Sequence, residues 1–351
     1  MTTEPLPESI TPEALTLVLR RSGVLGEGRV SEVIVESTRA TVLSRIVRLR
    51  LIYDGDAPGA PPTLILKTAL PERLTTGWGR QEAAFYTQVA AATPSGLLPR
   101  CFEAEWNAEA NHSRLLLEDL SDTHRIVTTW PLPPTFGECE AILRAWARFH
   151  AHWWDDPRLG SSIGQWGDGE AVDQYLRRLA DKVARFEDRL RDRLPRERRD
   201  LYHSMLDRAP RLVRRTDSRR AVTIVHGDAH VWNCFLPRDG GADMRLFDWD
   251  SWRLGVATDD LAYMMAVHWY PDRRRRMERP LLDVYHGALL AHGVGGYDRR
   301  ALDDDYRLSA LWHIMTPAWQ AAANIPTVIW WNNFERIHLA VEDLGCRELL
   351  E

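Results

Sequence analysis

TIVHGDAHVWNCFLPRDGGADMRLFDWDSW, residues 223–252, crowds His226, Asp228, His230, Asn233, Asp248 and Asp250 into one short span. Within it, PRDGGADM puts glycines between two apolar runs, which signals a hairpin. A turn centred on Gly240 and Gly241 predicts Cys234 opposite Phe247 and Asn233 opposite Asp248. Directly opposed positions bring their Cβ atoms to roughly 4.5–5.5 Å, so an amide oxygen and a carboxylate would converge. That pair suits Mg²⁺, a hard cation that takes oxygen ligands and keeps waters for a phosphate to displace.

Working outward toward the N-terminus, the pattern is that of a small sheet with a helix. Thr11 and Pro12 read as cap and first turn of a helix that presents Leu15, Val18 and Leu19 on one face. RSGVLGEGRVSEVIVE then passes from glycines to β-branched residues, and Val47, Leu49, Leu51 and Tyr53 alternate as a strand that stops at Asp54-Gly55. TLILK is a third short apolar strand ending on Lys67, RQEAAFYTQVA is helical and carries Glu82, and CFEAEW and SRLLLEDL read as two further strands. Only two of the 45 basic residues are lysines, Lys67 and Lys182. A chain that uses arginine almost everywhere has kept a compact ammonium at the end of TLILK. Lys182 reads instead as one more cation on a solvated helix face.

Past residue 119 the patterns become long and helical. Val172, Tyr175, Leu176, Leu179, Val183, Phe186, Leu190 and Leu194 keep a 3–4 spacing, and the 223–252 stretch reads as an island of strands inside this helical part. The domains expected are therefore 1–119, β-rich, and 120–351, helical and carrying the hairpin. The 351 residues, 44% hydrophobic and 27% charged, fit a globular protein without internal repeats. A formal charge of −5 gives no support to a nucleic-acid partner. No apolar stretch has the length of a membrane span and the start lacks the order of a signal peptide, so a cytoplasmic protein without a membrane partner is expected. Cys101, Cys139, Cys234 and Cys346 form no C-x-x-C pair, which argues against a zinc site and a disulfide framework. The run Arg273 to Arg276 reads as a solvated helix face.

Asp228 lies five residues before Asn233 on the loop entering the hairpin. The order Asp, four residues, Asn, hairpin, Asp is that of kinase-type phosphoryl transfer. The chain resembles the aminoglycoside phosphotransferase and choline kinase group of small-molecule kinases, which share the protein-kinase-like fold. The carrying residues are HGDAHVWN (226–233) and FDWD (247–250) with the continuation WRLGVATDDLA, and upstream LILK, RQEAAFY and LLLEDL; together they cover roughly residues 20 to 340. The resemblance implies an α+β, bilobal fold and a phosphotransferase that moves the γ-phosphate of ATP or GTP to a hydroxyl of a small molecule, such as an antibiotic. It implies Asp228 as base, Asn233 and Asp248 as Mg²⁺ ligands, Lys67 with Glu82 on the phosphates, and backbone near Glu118 against the nucleotide base. His226 would shape the catalytic loop and Asp260 would be structural. The glycine loop is reduced to Gly26 and Gly28 in LGEG, the candidates for close approach to the phosphates. Trp249 stands where protein kinases continue with glycine, and no activation segment follows Asp248, which favours a small acceptor over a protein. Asp250 is open between supporting the metal and lying at the surface.

Two other readings use the same residues. His226, Asp228, His230 and Asp248 could be ligands of a hydrolase metal centre, since H-G-D-A-H on a strand puts three side chains on one side; that reading leaves Asn233, Lys67 and Glu82 without work. A nucleotide-binding module without turnover is the other. For the acceptor, the weak acidic surplus beyond residue 250 disfavours a polycation. Trp249, Trp252, Trp269, Trp312, Trp319, Trp330 and Trp331, unless they are core, point to a less cationic natural product or to an ammonium held by aromatic faces.

Overall fold

The computed structural model describes residues 10–41, 43–70, 77, 79–109 and 111–351. They divide into two compact units, the first comprising residues up to Arg125 with Phe235–Asp250, the second Ile126–Cys234 with Ser251–Glu351. The hairpin segment thus groups with the β-rich part and is no island within the helical one.

In the first unit, α1 (Pro12–Arg21) starts where Thr11 accepts the Ala14 amide and Pro12 occupies the first turn. Five antiparallel strands follow: β1 (Arg29–Ala40), β2 (Ser44–Asp54), β3 (Thr63–Ala69), β4 (Cys101–Asn107) and β5 (His112–Glu118), in the order β1-β2-β3-β5-β4. The alternation in β2 does what it predicts: Val47, Leu49 and Leu51 are buried together with Leu15 and Leu19 of α1 and Leu64, Leu66 and Leu116 of the neighbouring strands. Each such side chain contributes about 1.5–3 kcal/mol by leaving water. α2 (Arg80–Gln88) lies between β3 and β4 in sequence. Arg48 of β2 reaches Asp119 just past β5 at 2.6 Å, tying the middle of the sheet to its exit.

The hairpin differs from the expectation. Its strands are only Cys234–Pro237 and Arg245–Leu246, joined by a long loop in which Gly240 takes φ +75. The ring of Phe235 meets that of Phe247, stacked at 4.0 Å. Asn233 ends a 3₁₀ turn before the ladder and Asp248 lies beyond it, so cross-strand register does not fix their relation.

The second unit is helical: α3 (Phe136–His152), α4 (Gly169–Leu190), α5 (Arg196–Leu212), α6 (Thr258–Ala262), α7 (Pro271–Ala291), α8 (Arg299–Trp312), α9 (Thr316–Ala322) and α10 (Thr327–Asp343). α3 opens with a capping box between Thr135 and Glu138, and α4 buries the predicted Leu179, Val183, Phe186 and Leu190. A single π-helical turn, Tyr263–Val267, continues α6. Thr223–Val225 pairs with Arg253–Gly255. The arginine run on α7 is not wholly solvated. Arg274 is fully buried between Glu278, at 3.0 Å, and Asp343 of α10. Charges this deep persist only when paired. Among the described residues, no helix is long and apolar enough to cross a membrane.

Candidate active site

Lys67 stands in β3 opposite Ile46, near the turn that joins β1 to β2. Its ammonium lies 2.7 Å from Glu82 Oε2 of α2 and 2.7 Å from Asp248 Oδ1. Burial works against the charge, but the two carboxylates overrule it and hold the lysine above its ordinary range. Glu82 is itself buried, and burial pushes its carboxyl up against the pull of Lys67. Asp248, by contrast, keeps 41% of its side chain exposed, and its backbone takes φ +70. A non-glycine residue in that region costs of order 1–3 kcal/mol and persists where surrounding structure over-determines it, commonly at functional sites.

The rest of FDWD is bound to α2. Asp250 Oδ1 accepts the amides of Gly79, at 3.0 Å, and Glu82, at 3.3 Å. This supplies from afar the capping acceptor that Gly79 (φ +85), which has no side chain, cannot provide. Burial raises the Asp250 carboxyl pKa, and those two amides pull it back. Trp249 is fully buried and stacks on Phe85 of α2 at 4.0 Å. The open question about Asp250 is thereby answered within this unit: it caps a helix.

Gly26 and Gly28 precede β1, while Lys67 aligns with the opposite end of that strand through Ile46 and Arg39. Ten residues of strand separate the two ends, roughly 30 Å, which is too far for backbone approach to a phosphate held by Lys67. Their work is a turn, in which Arg20 donates to the carbonyls of both. At Glu118 the backbone amide already donates to Arg100 O and the side chain accepts the Arg100 amide, so contact with a nucleotide base there would fall to other groups of the β5 exit.

In the second unit, Thr223–Val225 delivers the chain to His226. Its ring is wholly buried, edge-on to Trp146, and its Nδ1 accepts the Asp228 amide at 3.2 Å. Asp260 of α6, also buried, accepts the amides of His226 (2.7 Å) and Gly227 (2.9 Å) and lies 3.2 Å from His150 Nε2. Burial opposes its charge, but His150, His226 and these amides hold its pKa below the ordinary range. Gly227 is obligatory: φ is +79, and a Cβ would come within 2.3 Å of Ser251 O. The loop is thus pinned from behind, and Asp228 emerges partly exposed. Asn233 donates through Nδ2 to Asp228 O (2.9 Å) and Oδ2 (3.3 Å), which leaves its amide oxygen as the atom a cation could take. Tyr263 donates to Asp228 Oδ1 at 2.6 Å. The sequence reading missed Tyr263, because its partner Asp228 lies 35 residues earlier in the chain.

The hydrolase reading loses its geometry here. The strand ends at Val225, His226 is turned inward, and among the described residues no three His, Cys, Asp or Glu side chains are grouped to hold a metal. Within their own units, the Asn233 amide oxygen and the Asp248 carboxylate are each donors of the kind that Mg²⁺ takes. Of the seven tryptophans weighed for the acceptor, Trp249, Trp252, Trp269 and Trp330 are buried core, whereas Trp319 is exposed. Trp269 and Trp330 already carry the guanidinium groups of Arg273 and Arg189 on their faces.

Residues 167–293 match the model of the ecdysteroid kinase-like family. No curated protein matches the sequence. Among solved structures, the fold is similar to that of a Ralstonia eutropha protein assigned to the aminoglycoside phosphotransferases, with TM-score 0.59, 16% identity, and 95% of this chain and 97% of that one covered. It is similar to choline kinase from Streptococcus pneumoniae at TM-score 0.51 and 12% identity, with 93% and 98% covered. An aminoglycoside phosphotransferase variant in its GDP complex aligns at 0.51 and 10%, with 95% and 97% covered. The chain therefore has the protein-kinase-like fold, in the form found among small-molecule kinases.

Proposed function

We propose that the protein is a small-molecule kinase that transfers the γ-phosphate of ATP or GTP to a hydroxyl of a small acceptor. The observation that carries the reading is Lys67, one of two lysines in the chain, held charged between Glu82 and Asp248. A cation so confined, with surplus carboxylate beside it, suits a nucleotide phosphate accompanied by Mg²⁺.

In this mechanism Lys67 binds the phosphates, and Glu82 fixes the direction from which its ammonium reaches them. Asn233 and Asp248 are the residues to hold Mg²⁺, which when bound neutralises charge developing on the transferred phosphoryl group. Asp228 orients the acceptor hydroxyl and takes its proton, a contribution of roughly 10²–10⁴-fold in rate. The His226 and Asp260 contacts keep the loop from moving while it does so. With Gly26 and Gly28 remote, the β1–β2 turn is the backbone to approach the phosphates. The acceptor is a hydroxylated compound of low positive charge. A choline-like ammonium is the less favoured choice, because the faces of Trp269 and Trp330 are already occupied by arginines.

The test is calorimetric titration of ATP and GTP, with and without Mg²⁺, into wild type and Asp248→Ala. Mg²⁺-dependent binding weakened at least about 10-fold by the substitution supports the reading; binding of neither nucleotide sinks it. Phosphate transfer across an acceptor panel, lowered about 10²- to 10⁴-fold by Asp228→Asn, separates an enzyme from a binding module.

A further inference from the structure

Tyr263 sits at the first position of the π-helical turn that follows α6, and no part of the mechanism above uses it. It is buried, yet its hydroxyl makes a 2.6 Å bond to Asp228 Oδ1. Wide π turns displace one residue from the α-helical register and recur at functional sites. The Tyr263 carbonyl also accepts from His268 Nδ1 at 2.7 Å. A carbonyl can only accept, so this ring carries its proton on Nδ1.

Behind the hydroxyl is a second buried group. The side chain of Gln320 of α9 acts on the same Tyr263 oxygen and works to lower its pKa, and its own Oε1 accepts from Asn333 Nδ2 of α10 at 3.0 Å. Gln320 and Asn333 are both buried. Asn333 donates to the Gln320 carbonyl, which leaves the Gln320 amide as its polar group nearest the Tyr263 oxygen, and the Tyr263 proton goes to Asp228. Tyr263 keeps that proton, because burial and then the Asp228 charge push its pKa well above the ordinary tyrosine range. The two Asp228 oxygens are consequently unlike. Oδ1 has one short, charge-assisted bond from a rigid buried donor, whereas Oδ2 has only a 3.3 Å contact from Asn233 and a 3.5 Å contact from His230.

We propose that Tyr263 is a positioning residue for phosphoryl transfer: the hydroxyl of this buried ring, with Gln320 behind it, locks Asp228 Oδ1, so that Oδ2 is the oxygen presented to the acceptor hydroxyl. The inference rests on the phosphotransfer reading. It differs from a merely structural tyrosine in that its whole effect passes through one carboxylate.

The experiment measures nucleotide affinity and turnover, with water or any acceptor the wild type uses, for Tyr263→Phe, Gln320→Leu, Asp228→Asn and the pair Tyr263→Phe/Asp228→Asn. Wild type that binds no nucleotide retires the phosphotransfer reading itself. With wild type active, Tyr263→Phe lowers kcat about 10- to 100-fold, the range expected for a hydrogen bond to a charged group, and leaves the nucleotide KM within about 2-fold. Gln320→Leu, which keeps the ring and its hydroxyl, lowers kcat by a smaller factor. In the Asp228→Asn background, Tyr263→Phe has no further effect, since the coupling is between these two groups. Wild-type kcat in Tyr263→Phe overturns the proposal, as does an equal loss in both backgrounds. If Tyr263→Phe fails to fold, Gln320→Leu decides, and an unchanged kcat there overturns it.

Discussion

Lys67 announces itself through composition: in a chain that writes arginine for nearly every cation, a lysine between Glu82 and Asp248 marks a place where a guanidinium does not fit. An arginine is longer, planar and fork-shaped. Lys67→Arg is therefore expected to keep the charge and still lower kcat/KM about 10-fold or more, measured by initial rates against nucleotide. Asp248 carries its signal in the backbone. Asparagine tolerates φ +70 as aspartate does, so Asp248→Asn should leave Tm within about 2 °C while Mg²⁺-dependent nucleotide affinity falls; a Tm drop of several degrees would mean the carboxylate also holds the fold. At this scale the chemically conspicuous residues were legible in the sequence, and the long-range partners were not. Nothing local in TDDLAY says that the Tyr263 hydroxyl meets Asp228, and nothing in PDRRRR says that Arg274 is buried against Asp343, because both partners lie far along the chain.

Elements followed the sequence where a periodicity had one partner to satisfy. β2 alternates and buries its apolar half, and α4 buries the later half of its 3–4 stripe, from Leu179 to Leu190, while Tyr175 near its start is exposed. The hairpin did not, since its two apolar runs are too short for two-residue turn geometry to dictate register, and Phe235 packing on Phe247 decides it instead. α2 is the element whose stability is most borrowed. Its cap is a glycine, and its first-turn amides end on Asp250. Asp250→Ala should cost about 0.5–2 kcal/mol, and hydrogen exchange should show faster opening at the amides of Gly79 and Glu82 specifically. Unchanged protection there would reject the capping role. Loss of this cap should also weaken nucleotide binding, because Glu82 stands in the same turn.

For the whole molecule, burial holds the imidazoles of His268, His313 and His338 down to about 3. In an unfolded chain they titrate near 6.5. Between those values the unfolded state binds more protons, so this contribution to stability is complete above about pH 6.5 and is lost as pH falls toward 3. His338 has no hydrogen-bond partner on either ring nitrogen and lies against Phe334 and Tyr202. His338→Phe should flatten the loss of urea stability between pH 7 and 5, and an unchanged slope would assign the acid sensitivity elsewhere.

The partition of the chain bears on synthesis. The first unit takes its last residues, Trp249 and Asp250 among them, from Phe235–Asp250, well after Arg125. Translation covers the interval in about 6–25 s. Through that time the nascent sheet exists without the ring that covers Phe85 and without the carboxylate that starts α2, so an isolated fragment ending near Arg125 should be a poorly ordered, sticky product, and the ribosome must finish much of the second unit before the first can close.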